Sequence, residues 1–178
     1  MKFLLRLFNK LIDKIVSLLL RPIEATKPRI YMRLYKKILE KKGIEFCGTP
    51  QFISSSAHFD LSATITIGER CVITQDCYFL THDFSCTTGL IAINETPKTD
   101  NYITGKIEVG KNVFIGMRSL ILPNTTIGNN VIIGAGSVVK GVINSNSVYA
   151  GNPAKYICSI EEYIVRQKIK VKNSFHTV

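Results

Sequence analysis

The chain has 178 residues, of which 46% are hydrophobic and none is tryptophan, which is enough for one domain with its own core and appended segments. Its formal net charge of +10 is uneven: residues 1–46 contain twelve Lys and Arg against four Asp and Glu, whereas the remainder contains eleven against nine. The basic character therefore belongs to the N-terminal segment. The five cysteines include no CxxC pair, a usage that fits the reducing cytoplasm.

Residues 1–21 have the spacing of a basic amphipathic helix. Apolar side chains recur at helical intervals, and five basic residues with one acid occupy the other side. Charges at positions 6, 10, 13 and 14 interrupt the apolar run, so this is neither a spanning helix nor a signal-peptide core. Two interpretations stay open: the helix lies in an anionic membrane interface, or its apolar face packs on the β-domain or on another subunit.

A second helix is predicted from Pro28 to a C-terminal cap at Gly43. One face of this helix would be apolar, formed by Tyr31, Leu34, Tyr35, Ile38 and Leu39. Its lysines are most simply a solvated face. Because the basic residues lack a recognisable nucleic-acid-binding fold, no nucleic-acid partner is expected.

From residue 109 onward the sequence repeats every six residues. Aliphatic side chains occupy the repeated position, and mostly small or β-branched residues lie four positions after each. The repeated position is filled by Val109, Ile115, Ile121, Ile127, Ile133 and Val139, and earlier by Ile67, Ile73 and Phe79. A six-residue period is typical of a parallel β-helix, whose turns bury their aliphatic residues against the turns above and below. A β-sandwich with accidental spacing is the weaker alternative.

The period is lost between residues 83 and 105 and resumes at Ile107. Asp83 would otherwise direct a charge into the core, so the chain is predicted to leave the coil there in a long protruding loop. The predicted organisation is an N-terminal helical segment at 1–46, a β-helix domain at 47–158 and a C-terminal segment at 159–178. A short helix is predicted from Ile160.

Three motifs follow one another in a specific order: THD at 81–83, GAGSVV at 134–139 and GNPAK at 151–155. Over residues 60–158 the chain resembles the hexapeptide-repeat acetyltransferases, in particular the branch of maltose, galactoside, O-antigen and capsule O-acetyltransferases. The resemblance implies an all-β fold built on a left-handed parallel β-helix, a homotrimer, and acetyl-CoA bound between adjacent subunits. It also implies acetyl transfer to a sugar hydroxyl in surface polysaccharide synthesis in the cytoplasm, with a xenobiotic or small-metabolite acceptor as the alternative.

The resemblance assigns the catalytic histidine to His82, directly before the loop. A sugar hydroxyl is a poor nucleophile at neutral pH, and an imidazole, with an ordinary pKa of about 6.5, can accept its proton during attack on the thioester. Asp83 either orients this imidazole or merely begins the loop.

The family's coenzyme contacts fall on Met117, Ala135, Lys140 and Lys155. Lys155 is the basic residue of the GNPAK motif and a candidate partner for coenzyme phosphates. A further family arginine falls on Cys158, so that contact is missing or supplied elsewhere. The family needs no metal, and none is expected here.

Three rival functions have weaker support. A γ-type carbonic anhydrase would need three histidines on zinc, and one of the three histidines, His176, lies in the C-terminal tail. A purely structural β-helix would need neither His82 before a loop nor the two glycine motifs. A cysteine-based acyl-enzyme would have to use Cys86, the cysteine near His82.

Overall fold

The computed structural model describes residues 20–171. Residues 20–26 are helical, and three further helices follow: α1 (Pro28–Lys42), α2 (Ser85–Ala92) and α3 (Ile160–Val171). The strands are short. They are β1 (Glu45–Cys47), β2 (Phe52–Ile53), β3 (His58–Phe59), β4 (Ile65–Gly68), β5 (Val72–Ile73), β6 (Tyr78–Phe79), β7 (His82–Asp83), β8 (Ile103–Thr104), β9 (Ile107–Val109), β10 (Phe114–Ile115), β11 (Leu120–Ile121), β12 (Thr125–Ile127), β13 (Val131–Ile133), β14 (Val138–Val139), β15 (Val142–Ile143), β16 (Ser147–Ala150) and β17 (Lys155–Ser159).

These strands form three parallel sheets through which the chain passes in turn. The first sheet has the order β1-β4-β9-β12-β15, the second β2-β5-β10-β13-β16 and the third β3-β6-β11-β14. Each strand therefore pairs with the strand one turn earlier and one turn later. The protein is a parallel β-helix of about five turns, as the six-residue period predicted, and its left-handed sense is the one that the family resemblance implied. Antiparallel β17 folds back on β16 and closes the C-terminal end.

The repeated aliphatic position lines the interior of the coil. Ile73, Ile115 and Ile133 are fully buried and lie in register on three successive turns of the second sheet. The small residues four positions later are also buried. Where these are hydroxyl residues, they hydrogen-bond back to a carbonyl oxygen three residues earlier, as Ser119 does to Gly116 at 2.7 Å and Thr125 to Leu122 at 2.7 Å. The polar atoms at this inner position are thereby satisfied.

One corner of the coil is built from glycines stacked on successive turns. A Cβ on Gly110 would lie 2.6 Å from the carbonyl oxygen of Gly128, so no side chain fits between these turns. Beyond the glycines, Asn112, Asn130 and Asn146 adopt left-handed backbone conformations. Their amides form a ladder, in which Asn112 donates to Asn130 at 3.0 Å and Asn130 donates to Asn146 at 2.8 Å. The corner sequence thus fixes the spacing between turns.

The loop predicted at residues 83–105 is a structured excursion from one corner. Ile73 pairs with Ile115, forty-two positions later, whereas Ile115 pairs with Ile133, eighteen positions later. The excursion therefore adds twenty-four residues to one turn. Antiparallel strands β7 and β8 form its base, with His82 opposite Thr104. Helix α2, which it carries, has no buried residue.

Helix α1 packs against the second sheet at the N-terminal end of the coil. Tyr31, Met32, Tyr35 and Leu39 are buried, and the Tyr31 hydroxyl donates to the carbonyl oxygen of Ile53 at 2.7 Å. Gly43 ends the helix in a left-handed conformation, as predicted. The prediction for Leu34 was wrong: it is exposed, because the helix turns its Met32 side toward the coil.

The amphipathic segment predicted at residues 1–21 lies almost entirely outside the described residues. Its last apolar side chain, Leu20, is buried in the core cluster with Tyr31 and Met32. Within residues 20–171, no helix combines the length and the apolar character that crossing a membrane requires.

The stacked corner predicts a strong effect of a single methyl group. Gly110→Ala should lower the free energy of unfolding by about 1–3 kcal/mol, because its Cβ would meet the backbone of the next turn, which cannot move cheaply. Gly89→Ala is the matched control, since a Cβ there meets nothing within 4 Å and alanine favours helix α2. Calorimetric melting should show a loss for the first variant and none for the second; equal losses would contradict the stacking account.

Candidate active site

His82 lies at the corner where the chain leaves the third sheet, on the first residue of β7. Its Nδ1 lies 2.5 Å from Oδ2 of Asp60 and 3.2 Å from Oγ of Ser62. Asp60 directly follows β3, one turn below β6, so the stacking of these strands brings the two side chains together. The imidazole is 34% exposed and the carboxylate 20%.

The Asp60 carboxylate is held by donors on both oxygens. Oδ2 accepts from the backbone N–H of Thr81 at 2.9 Å and from its hydroxyl at 2.7 Å, besides the imidazole of His82. Oδ1 accepts from the Ser62 hydroxyl at 2.9 Å. Burial alone would raise the pKa of Asp60, but the bonds from Thr81, His82 and Ser62 outweigh it and hold the pKa well below its usual range. The group is therefore a carboxylate at neutral pH.

This network fixes the tautomer of the neutral imidazole. A carboxylate only accepts, so the Nδ1 atom of His82 must carry the proton that points at Asp60. In the neutral ring Nε2 then keeps its lone pair, and no residue within 20–171 hydrogen-bonds to it. Such an imidazole can take a proton at Nε2 while the carboxylate stabilises the imidazolium that results.

Asp83 has a different set of contacts. Its Oδ1 accepts from the backbone N–H of Ser85 at 2.8 Å, at the start of α2. Hydrogen bonds from Ser85 lower the pKa of Asp83, and the charge of Lys140 adds to this. The carboxylate that contacts the imidazole is thus that of Asp60, which the sequence did not single out, whereas Asp83 accepts from the first residue of the excursion helix.

The four predicted coenzyme contacts divide between two corners. Met117 and Ala135 lie between the second and third sheets on successive turns, where the N–H of Gly136 donates to the Met117 carbonyl at 2.8 Å. Lys155, on β17, pairs with Ala150 at the end of the second sheet. All three are exposed and form one column along this corner. Lys140 follows β14 and lies at the other end of the third-sheet strands, at the corner that carries His82.

The residues behind the rival functions are placed elsewhere. His58 stacks on Tyr78 with ring centroids 4.4 Å apart. Cys86 lies in α2, and among residues 20–171 it is not a partner of the His82 side chain. In the same part of the chain, no three His, Cys, Asp or Glu side chains converge as metal ligands would.

Comparison with known sequences connects this geometry with a family. The family model "Bacterial transferase hexapeptide (six repeats)" matches residues 106–141. The chain is 39% identical to Protein CapG of Staphylococcus aureus over 142 residues, which are 76% of this chain and 80% of CapG. It is 30% identical to WbbJ of Escherichia coli K12, a candidate lipopolysaccharide biosynthesis O-acetyl transferase, over 65% of this chain and 61% of WbbJ.

A third relative is the galactoside O-acetyltransferase of Escherichia coli K12, 34% identical over 60% of this chain. The chain spans about half, 51%, of that enzyme's length. Among solved structures, the hexapeptide-repeat acetyltransferase VCA0836 of Vibrio cholerae, complexed with acetyl-CoA, superposes with a TM-score of 0.57 at 22% identity, over 71% of this chain and 77% of that one. The shared coil, the matched repeats and the CapG similarity lead to one conclusion: the chain belongs to the bacterial hexapeptide-repeat transferase family.

Proposed function

We propose that the protein is an acetyl-CoA-dependent O-acetyltransferase that modifies a sugar hydroxyl during surface polysaccharide synthesis, with His82 as general base. The observation that carries this proposal is the contact between Asp60 and Nδ1 of His82, which in the neutral ring leaves Nε2 as the proton acceptor beside an exposed loop. The sugar acceptor is supported by the names of the galactoside and lipopolysaccharide relatives. The name of WbbJ, which refers to lipopolysaccharide biosynthesis, supports a role in surface glycans.

The proposed reaction is a direct transfer. Nε2 of His82 takes the proton of the acceptor hydroxyl as its oxygen attacks the thioester carbonyl of acetyl-CoA. The tetrahedral intermediate collapses with cleavage of the C–S bond, and the departing thiolate of coenzyme A receives the proton from the imidazolium. The new bond is an O-acetyl ester, and the imidazole returns to its starting form. Throughout, the Asp60 carboxylate holds the ring and stabilises its positive state.

For the coenzyme we propose the column of Met117, Ala135 and Lys155, with Lys140 at the neighbouring corner. Lys155 would bind coenzyme phosphates, while the exposed backbone at the other two positions would contact the rest of the molecule. Within one chain this column and His82 lie at opposite ends of the strands of the third sheet. We propose a homotrimer, because the corner that carries the coenzyme column in one subunit could then face the corner that carries His82 in the next and complete the site.

His82→Ala is the primary test of the proposed function. The variant should lower kcat for acetyl transfer by about 10²–10⁴-fold, because the hydroxyl loses its base, while coenzyme affinity stays nearly unchanged. Transfer would be followed by thiol release and product mass, using nucleotide sugars, free sugars and lipid-linked glycans as acceptors. Activity within about threefold of wild type would remove His82 from this role. Activity restricted to xenobiotic acceptors would replace the sugar assignment.

Asp60 and Asp83 are distinguished by paired substitutions. Asp60→Asn should lower kcat by about 10²–10⁴-fold, because a neutral amide can donate to Nδ1 and so place the ring proton on Nε2. Asp83→Asn should cost much less, because Asp83 contacts Ser85 rather than the imidazole. The opposite order of effects in steady-state kinetics would return the orienting role to Asp83.

We further propose that the N-terminal segment holds the enzyme at the cytoplasmic face of an anionic membrane. Residues 1–21 carry five basic residues and one acid beside an apolar face. The outward face of α1 continues this character, since Ile30 and Leu34 are exposed at helical spacing with Arg33 and Lys37. Basic residues at an anionic surface contribute about 1 kcal/mol each, and apolar side chains add burial.

Removing residues 1–19 tests this membrane contact while keeping Leu20, which is part of the core. Sedimentation with vesicles containing anionic lipid should lose most of its bound fraction, whereas transfer to a small soluble acceptor should persist. High salt should weaken binding of the full chain only in part, because the apolar contribution remains. If the full chain stays in the supernatant at low salt, the segment packs on the protein instead.

A further inference from the structure

Two aromatic rings extend from the histidine into the excursion. Phe84 follows β7 and contacts His82 edge to face, with ring centroids 5.1 Å apart and planes at 83°. Tyr102 precedes β8 and lies against Phe84, with centroids 5.0 Å apart and planes at 34°. The two arms meet because Asp83 pairs with Ile103 across the antiparallel base. Three rings in series therefore lead from the candidate base toward the tip of the loop.

The aromatic pair is left open to solvent. Phe84 is 53% exposed and Tyr102 is 54% exposed, although each has a large apolar surface. Other contacts hold the excursion together: the β7–β8 pairing at its base, and Thr87, whose hydroxyl donates to the Asn101 carbonyl at 3.1 Å and accepts from the Asn101 N–H at 2.7 Å. The rings are thus presented by a fixed frame, and their exposed faces are available to a ligand.

We propose that Phe84 and Tyr102 form the platform on which the sugar ring of the acceptor stacks. A pyranose has one face of C–H groups, which packs on aromatic rings, and a rim of hydroxyls, which stay free to react or to hydrogen-bond. A sugar on Phe84 lies beside the imidazole, so one of its hydroxyls reaches Nε2. The platform rests on the proposed function, because it names the subsite of the same transfer.

The position of the platform also indicates which of the two substrates it binds. It lies on the excursion, next to His82. Within one subunit, Met117, Ala135 and Lys155 lie at the opposite ends of the strands of the third sheet. The excursion carries both rings and none of the four proposed coenzyme contacts, so we assign the rings to acceptor binding. Removing them should weaken acceptor binding and leave the chemistry at Nε2 intact.

Substitution kinetics test this assignment. Phe84→Ala and Tyr102→Ala should each raise KM for a simple methyl glycoside by about 5–20-fold, with KM for acetyl-CoA and kcat changed less. Phe84→Trp should restore the acceptor KM, because it restores an aromatic face. Ile93→Ala is the matched control, since Ile93 is 65% exposed in the same excursion and has no ring, and its KM values should stay at wild type.

A direct binding measurement separates the platform from the overall function. The chain contains no tryptophan, so Phe84→Trp provides a single fluorescent reporter and Ile93→Trp a matched reporter outside the platform. Titration with methyl glycosides should shift the emission at position 84 and leave that at position 93 unchanged. If the wild type acetylates no sugar but position 84 responds, the proposed function fails and the platform stands.

Three outcomes would overturn the platform. The first is an unchanged acceptor KM together with no fluorescence response at position 84. The second is a rise in KM for acetyl-CoA instead of the acceptor, which would assign the rings to the coenzyme. The third is dissociation of the oligomer in Phe84→Ala, measured by light scattering, together with no emission shift when Phe84→Trp is titrated with methyl glycosides, which would assign the rings to a subunit contact.

Discussion

The register between successive turns of the coil is the constraint on which the candidate site depends. In a parallel β-helix each strand takes its hydrogen bonds from the turns above and below, so residues far apart in sequence are fixed side by side. His58 and Phe59 pair with Tyr78 and Phe79, and the N–H of Asp60 donates to the carbonyl of Phe79 at 2.9 Å. The carboxylate of Asp60 is thereby placed beneath the chain that carries the histidine.

The same stacking makes the carboxylate a stable anion in a partly buried place. Desolvation opposes its charge, and unpaired burial would be costly. The buried Thr81 supplies two hydrogen-bond donors and Ser62 another, so three neutral groups stabilise the carboxylate in addition to the imidazole. The carboxylate is therefore held as an anion that accepts the hydrogen bond from Nδ1 of His82. Asp83, adjacent in sequence, is turned toward the N-terminus of α2 and cannot serve in the same way.

Much of the fold could be predicted because each turn of the β-helix repeats the same six-residue pattern of aliphatic and small residues, which is visible in the sequence. The inward aliphatic positions, the departure of the chain near Asp83 and the cap at Gly43 all follow from local chemistry. The partner of His82 was missed for a physical reason: the early turns are longer, with Phe59 and Phe79 twenty residues apart, where later turns have eighteen. The six-residue spacing of Ile53 and Phe59 was the signal that could have placed Asp60 one turn below.

The side of α1 that faces the coil was only partly predictable, because Leu34 and Met32 are both apolar and only tertiary packing selects between them. The aromatic pair of Phe84 and Tyr102 left no periodic record either. It depends on the antiparallel pairing at the base of the excursion, which joins residues twenty and twenty-two positions apart. Sequence reasoning placed a protruding loop directly after the histidine, and the structure shows which of its side chains lie beside the imidazole.

The most direct test of the Asp60–His82 arrangement is the tautomer of the histidine ring in the intact protein. The chain has three histidines, so selective ¹⁵N labelling gives three resolvable imidazoles, and His82→Ala identifies the relevant one. Long-range ¹H–¹⁵N correlation spectra, recorded where histidines are neutral, should show the proton of His82 on Nδ1 and an unprotonated Nε2. A proton on Nε2 of His82 would contradict both the hydrogen bond to Asp60 and the role of this imidazole as the base.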